Sequence, residues 1–249
     1  MELIRPKRLN AVRSLLGVAV MACAGAASAT EYTINFQEMA DGAWGESAWQ
    51  PLPLDVNGNG STDVEIRGKY NGSDVYAYLD ASTAGLGTCR ALDTGSSKVA
   101  NTKYANSGSN MCADSGDDNV NIYNGINEEL EFSFLAELGI TGIWFNNNHD
   151  SPRTLSGDTI TIGSVDHLFS GSADDADLGW LYQFGGDANA GFFGISDSLN
   201  IQYKDEQFYI SAVVFNDTPT DRDTPVPVPS TLVLLGLGLA GLRARKRRK

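Results

Sequence analysis

Gln207-Phe208-Tyr209-Ile210-Ser211-Ala212-Val213-Val214-Phe215 is the stretch on which the fold turns. At a strand's period of two, Phe208, Ile210, Ala212 and Val214 fall on one face and Tyr209, Val213 and Phe215 on the other. A strand apolar on both faces is central in its sheet or covered by a second one. Working outward, Glu31 to Phe36, Asp63 to Arg67, Val75 to Leu79 and Glu128 to Phe134 show related patterns. Ile140 to Phe145, Asp158 to Ile162, Leu178 to Phe184 and Phe192 to Ile195 read as further strands. Residues 38–54 read as loop, and Ala81 to Asn127 as a long polar stretch whose length makes it a candidate functional surface. No long amphipathic helix and no internal repeat is legible. About nine short strands separated by turn residues predict an all-β chain, a single jelly-roll-like β-sandwich over residues 30–216.

Both ends differ from this body. Arg5, Lys7, Arg8 and Arg13 precede an apolar run from Leu15 to Ala22, and Ala27-Ser28-Ala29 is a small-x-small cleavage site. The pattern predicts a signal peptide over residues 1–29. Val20-Met21-Ala22-Cys23 is a rival lipoprotein site, with Met21 a poor fit. At the other end, residues 217–225 read as an extended linker bearing Pro219 and Pro225.

Beyond the linker stand Val226-Pro227-Val228-Pro229-Ser230-Thr231, an apolar run from Leu232 to Leu242, and then Arg243, Arg245 and four further basic residues. Val226 to Leu242 carry no charge. As a helix they would extend about 25 Å, a little short of a hydrocarbon core of about 30 Å. The basic end favours the cytoplasmic side. The plain reading is a permanent membrane anchor.

The same residues carry a sharper reading. Prolines, a Gly-rich apolar span over 230–242 and a basic stop resemble the PEP-CTERM sorting signal of exosortase systems. That tail also circulates as the ice-binding protein C-terminal domain. The family's usual Pro-Glu-Pro has Val228 in place of the Glu. The resemblance implies a Gram-negative envelope protein, exported and held transiently in the inner membrane. It implies an exosortase-type processing protease as partner, and release to the cell surface or matrix beside exopolysaccharide.

Charge and cysteines agree with life outside the cell. Residues 30–224 hold 30 Asp and Glu against 8 Lys and Arg, a net charge of −22. Such a field repels nucleic acid and anionic lipid and attracts divalent cations. Cys89 and Cys112, the two cysteines left after signal cleavage, are the natural disulfide of an oxidising compartment.

Among motifs that carry chemistry, Asp55-Val-Asn57-Gly-Asn59-Gly60-Ser61-Thr-Asp63 stands first. Its oxygen side chains fall at loop positions 1, 3, 5, 7 and 9, with glycine at 6 for the sharp turn. Ile66 occupies position 12, where an EF-hand has its bidentate Glu, and strands flank the loop. It therefore resembles the Asp/Asn-rich calcium loops between strands of secreted bacterial β-proteins, with Asp55, Asn57, Asn59, Ser61 and Asp63 as ligands of a structural calcium ion. An ion-free Asn-Gly hairpin loop with Asp63 as cap is the alternative. Asp114, Asp117, Asp118 and Asn119 form a second, weaker cation candidate, with a solvated acidic turn as the commoner outcome.

The remaining signals are thin. Asp93-Thr94-Gly95-Ser96 matches an aspartic-protease signature, but that chemistry needs a second such Asp in a separate apolar setting. His149 and His167 lack a third ligand for zinc. Glu129 and Glu131 share an outward strand face, as a solvated face does and as a glycosidase pair would. The sequons at Asn71 and Asn216 mean little in a bacterium. Trp44, Trp49 and Trp180 suit either sugar stacking or the core. The leading expectation is a non-enzymatic, exported surface or matrix protein with glycan-binding capacity. A secreted hydrolase and a permanently anchored periplasmic protein are the alternatives.

Overall fold

The structure, a computed structural model, describes residues 30–42, 44–81, 83–93, 111–113, 118–147, 154–184 and 191–217. The segments read as signal peptide and sorting tail, and all of the linker but Asp217, lie outside the described residues. Strand β1 (Glu31–Asn35) runs into the short helix α1 (Phe36–Asp41). Asn35 caps that helix, its side chain accepting from the Glu38 N–H at 3.1 Å. Then follow β2 (Ser47–Trp49), β3 (Leu52–Leu54), β4 (Val64–Tyr70), β5 (Ser73–Asp80) and β6 (Gly85–Cys89). The central segment supplies β7 (Ile122–Tyr123), β8 (Ile126–Phe134), β9 (Leu138–Asn146), β10 (Thr159–Ile162) and β11 (Val165–Leu168). Last come β12 (Trp180–Gln183), β13 (Phe192–Phe193), β14 (Ser198–Tyr203) and β15 (Tyr209–Asn216).

All strands pair antiparallel, in the order β11-β10-β14-β8-β4-β5-β6-β15-β9-β12. The sheet curls at the β4–β5 hairpin. Gly68 to Tyr70 pair with Ser73 to Val75, and β5 then turns away to pair with β6 from Tyr76 to Asp80. Gly68 permits the turn: a Cβ there would meet the Tyr76 carbonyl oxygen at 2.4 Å. One hydrophobic core collects side chains from both halves, including Ile66, Phe132, Phe134 and Ile201 from one and Leu86, Ile143, Phe145 and Ile210 from the other. Phe134 stacks on Phe193 across it, ring centroids 4.3 Å apart. The two ends of the strand order also meet, because His167 of β11 packs edge-on against Tyr182 of β12 at 4.8 Å.

The deciding strand is central, as its two-sided apolarity requires, but its alternation switches midway. Register shifts between Ile210 and Ala212, leaving Ser211 as the extra residue of a bulge. Phe208 and Ile210 face the core before the bulge, Val213 and Phe215 after it. The partner strand also switches, at a second register shift between Val214 and Phe215: Leu138 and Ile140 face the core, then Ile143 and Phe145. Ser211 is fully buried, and its hydroxyl accepts from Asn146 Nδ2 at 2.7 Å.

Three expectations are corrected. Residues 38–54 hold most of α1 and two short strands rather than loop alone. The polar stretch 81–127 contains β6, buried along its whole length, and β7. Its Gly-Leu-Gly-Thr-Cys sequence carries no side-chain pattern because neighbours leave no room for one. A Cβ on Gly87 would lie 2.0 Å from the Asp118 carbonyl oxygen, and one on Gly85 2.5 Å from that of Ile210. Finally, Ser198 to Tyr203 form an inner strand between β10 and β8 that the sequence reading passed over.

Cys89 and Cys112 are disulfide-bonded, Cα atoms 5.8 Å apart. The bridge belongs to a small second cluster on the sheet's outer side, with Ala48, Tyr76, Tyr78 and Leu92.

Candidate functional site

The outward face of β4, β8 and β14 carries the most developed polar site. Alternation sends Ile66, Leu130, Phe132, Leu199 and Ile201 inward and Glu65, Arg67, Lys69, Glu129, Glu131, Asn200 and Gln202 outward. In register, Gln202, Glu129 and Lys69 form one row, and Asn200, Glu131 and Arg67 the next. Two Asn-Gly turns close one end of this face. Asn71-Gly72 joins β4 to β5 with φ of 51° and 73°, and Asn124-Gly125 joins β7 to β8 with φ of 50° and 77°. Both central residues in the left-handed region fit the tight turn that matches strand twist. The Tyr70 hydroxyl donates to the Tyr123 carbonyl at 3.3 Å, holding the turns side by side.

Between the turns lies a cleft of about 410 Å³, with Lys69, Asn71, Gly125, Asn127, Glu129 and Gln202 among its lining. Burial and the nearby Glu131 carboxylate push the Glu129 carboxyl above its ordinary range, while Lys69 pulls it down. Lys69 is itself held by Asp74 at 2.6 Å and Glu131 at 3.3 Å. Hydrogen bonding to Asp74 raises the Lys69 ammonium, which stays charged at neutral pH. Of these lining residues, the sequence reading singled out Glu129 and, as a sequon, Asn71. The signal it missed was the pair of Asn-Gly dipeptides, each a hairpin marker, which bring Lys69 and Asn127 to one rim.

The Asp55–Asp63 loop folds on its own backbone. Asp55 accepts from the Asn59 N–H at 3.0 Å and the Gly60 N–H at 2.8 Å. Asn57 Oδ1 accepts from Asn59 N, and Asn59 Oδ1 from Ser61 N. Asp63 is buried and accepts from Val56 N at 2.8 Å. The loop thus draws Asp55, Asn57 and Asn59 together at its exposed rim, while Asp63 staples its base. Among the described residues, no group of three or more His, Cys, Asp or Glu side chains is placed to hold a metal.

The other candidates disperse. Asp114 and Asp117 lie outside the described residues. Asp118 and Asn119 are buried rather than solvated. Asp118 accepts from the Tyr209 hydroxyl at 2.7 Å, and Asn119 Oδ1 accepts from Asn121 Nδ2 at 2.7 Å. Burial and the carboxylates of Asp118 and Asp80 push the Tyr209 hydroxyl far above its ordinary range. Asp93 is exposed, and residues 94–97 lie outside the described residues, as does His149. His167 packs on Phe169 and Tyr182, and burial lowers its pKa. Trp49 and Trp180 are core residues, with Trp44 packed on Trp49 at 5.0 Å. Asn216 is buried at the end of β15. A second, acidic cleft of about 380 Å³ lies between α1 and the Asp175–Leu178 turn, lined by Glu38, Asp41, Asp175 and Asp177.

Comparison with known proteins bears on the tail alone. Residues 225–249 match the family model of the PEP-CTERM protein-sorting motif. The chain ends in a PEP-CTERM motif. The match begins one residue before the boundary expected from the sequence, and it includes Val226, Pro227, Val228, Pro229 and Ser230 together with Arg243 and Arg245. A PEP-CTERM tail implies export, membrane association before processing, and an exosortase as the processing partner. No curated protein and no solved structure matches the chain. Among the described residues, which do not include the PEP-CTERM segment, no helix is long and apolar enough to cross a membrane.

Proposed function

We propose that this is an exosortase-processed cell-surface or matrix protein that binds extracellular glycan without catalysing a reaction. Its body, in this reading, is a jelly-roll-like sandwich that faces the outside once the tail is cut. The observation that carries the proposal is the PEP-CTERM match over residues 225–249. The polar cleft supports the glycan part: amides and carboxylates beside glycine turns suit a ligand rich in hydroxyl groups. The acidic body supports solubility outside the cell. Expression of the full chain in cells with and without an exosortase tests the sorting. Released material should lack the basic C-terminus by mass spectrometry only where the exosortase is present. Membrane-bound protein that keeps Arg243 to Lys249 even where the exosortase is present would make the tail a permanent anchor.

Calcium enters this proposal as a structural ion at the rim of the Asp55–Asp63 loop. An ion held at 100 times its dissociation constant stabilises by about 2.7 kcal/mol. A chelator should therefore lower the melting temperature, and an unchanged value removes calcium from the proposal.

A carbohydrate hydrolase is the second reading, favoured by the raised Glu129 carboxyl two residues from Glu131 on the same face. It requires new reducing ends on incubation with glycan, and their absence discards it.

A further inference from the structure

We infer that the cleft between the two Asn-Gly turns binds an amino-sugar unit bearing a free ammonium group, with Glu129 as its ion-pair acceptor and the amides of Asn71 and Gln202 on its hydroxyls. The inference rests on the glycan-binding reading above and names its ligand class.

Charge balance on the face carries it. Arg67 is engaged by Glu65 at 2.6 Å and Asp74 at 3.7 Å. Lys69 is engaged by Asp74 and Glu131. Lys204, at the end of β14, is engaged by Asp166 at 3.2 Å. The cations of this face are thus committed to Glu65, Asp74, Glu131 and Asp166. Glu129 feels the charges of Lys69 and Glu131 but makes no hydrogen bond or ion pair among the described residues, and it stands half-buried within the cleft. A partly desolvated carboxylate in this position favours an arriving cation.

The lining then selects among cations. The side chains of Asn71 and Gln202 have no hydrogen-bond partner among the described residues, so each offers both a donor and an acceptor to the cleft. Asn127 spends its Nδ2 on the Tyr203 carbonyl at 3.1 Å and keeps its oxygen. A simple polyamine would leave these amides unanswered. A sugar ring with an unsubstituted amine answers the amides with hydroxyls and the carboxylate with its ammonium. The cleft's volume lies within the range of small-ligand sites, about 300–1,000 Å³.

The full-length chain in mild detergent should be titrated calorimetrically with a glucosamine oligomer, the same oligomer fully N-acetylated, a panel of neutral glycans, and spermidine. The glucosamine oligomer should bind at least about tenfold tighter than the N-acetylated oligomer and spermidine. Glu129→Gln should remove that preference with the melting temperature unchanged. Gln202→Leu should weaken both oligomers. Equal affinity of the wild type for the two oligomers, or a preference that survives Glu129→Gln, overturns the inference and leaves the glycan reading standing. So does binding confined to neutral glycans. Spermidine matching the glucosamine oligomer overturns it in favour of a site for charge alone, and new reducing ends overturn it in favour of catalysis. Silence from every glycan removes the reading beneath it as well.

Discussion

Glu128 and Glu129 are chain neighbours with opposite fates. Alternation turns Glu128 inward, where it is fully buried. Its carboxylate accepts from Thr88 Oγ1 at 2.8 Å and Asn121 N at 3.2 Å and pairs with Arg90 Nε at 3.0 Å. Arg90 in turn lies over the Tyr123 ring. Glu129 turns outward into the cleft. The sequence made the outward Glu visible but not the inward one, because a buried carboxylate is recognised by its partners, and Arg90 and Thr88 lie about forty residues away. His167 shows the same limit. In the sequence it is one of two histidines beside acids with no third ligand for zinc, and only the fold shows its ring enclosed by Phe169 and Tyr182 at 4.7 and 4.8 Å. Burial lowers its pKa from the ordinary 6.5. The unfolded chain therefore takes a proton at a higher pH than the native one. His167 contributes its full stability above about pH 6.5 and loses it as the pH falls through the lowered native value. Urea unfolding of wild type and His167→Phe at pH 8, 6 and 5 isolates the effect. The variant should gain on wild type as the pH falls, and a constant difference would refute this assignment.

At the scale of elements, strands with large alternating side chains were legible and strands built on glycine were not. β8 and β15 announce themselves by Phe, Ile and Val at period two. β6 does not, since its interior position depends on the absence of side chains at Gly85 and Gly87. The bulge at Ser211 was equally hidden. Period-two reading assumes one face for each parity, and a single inserted residue reverses the assignment for everything after it. Gly87→Ala tests the close approach. Its Cβ would fall 2.0 Å from the Asp118 carbonyl oxygen, a backbone atom that cannot swing aside. The substitution should destabilise by about 1–3 kcal/mol or more in urea unfolding. Gly125→Ala is the comparison, with open space around it and only the strain of its positive φ to bear. Equal losses at the two positions would refute the packing account of β6.

For the whole molecule, the address and the β class were legible because each rests on local signals: the prolines, apolar span and basic stop of the tail, and the strand periodicity of the body. The cleft was not, since it is assembled from β4, β8 and β14, whose order in the sheet no local pattern states. The disulfide lies between these cases, expected from cysteine count and compartment, yet placed by the fold in an unexpected role. It does not tie the two halves of the sheet together. Cys89 and Cys112 sit in the outer cluster with Tyr78 and Leu92, apart from the main core. The link spans 23 residues and in the chain-entropy picture contributes about 3 kcal/mol by restricting the unfolded chain. At about 2–4 °C for each kcal/mol in a domain of this size, reduction should lower the melting temperature by about 6–12 °C. Because the bridge is peripheral, the reduced protein should keep its β circular dichroism and a single cooperative transition. Calorimetry with and without reductant, repeated on the Cys89→Ser/Cys112→Ser double variant, measures both. A reduced chain that no longer melts cooperatively would mean that the outer cluster and the main core stand or fall together.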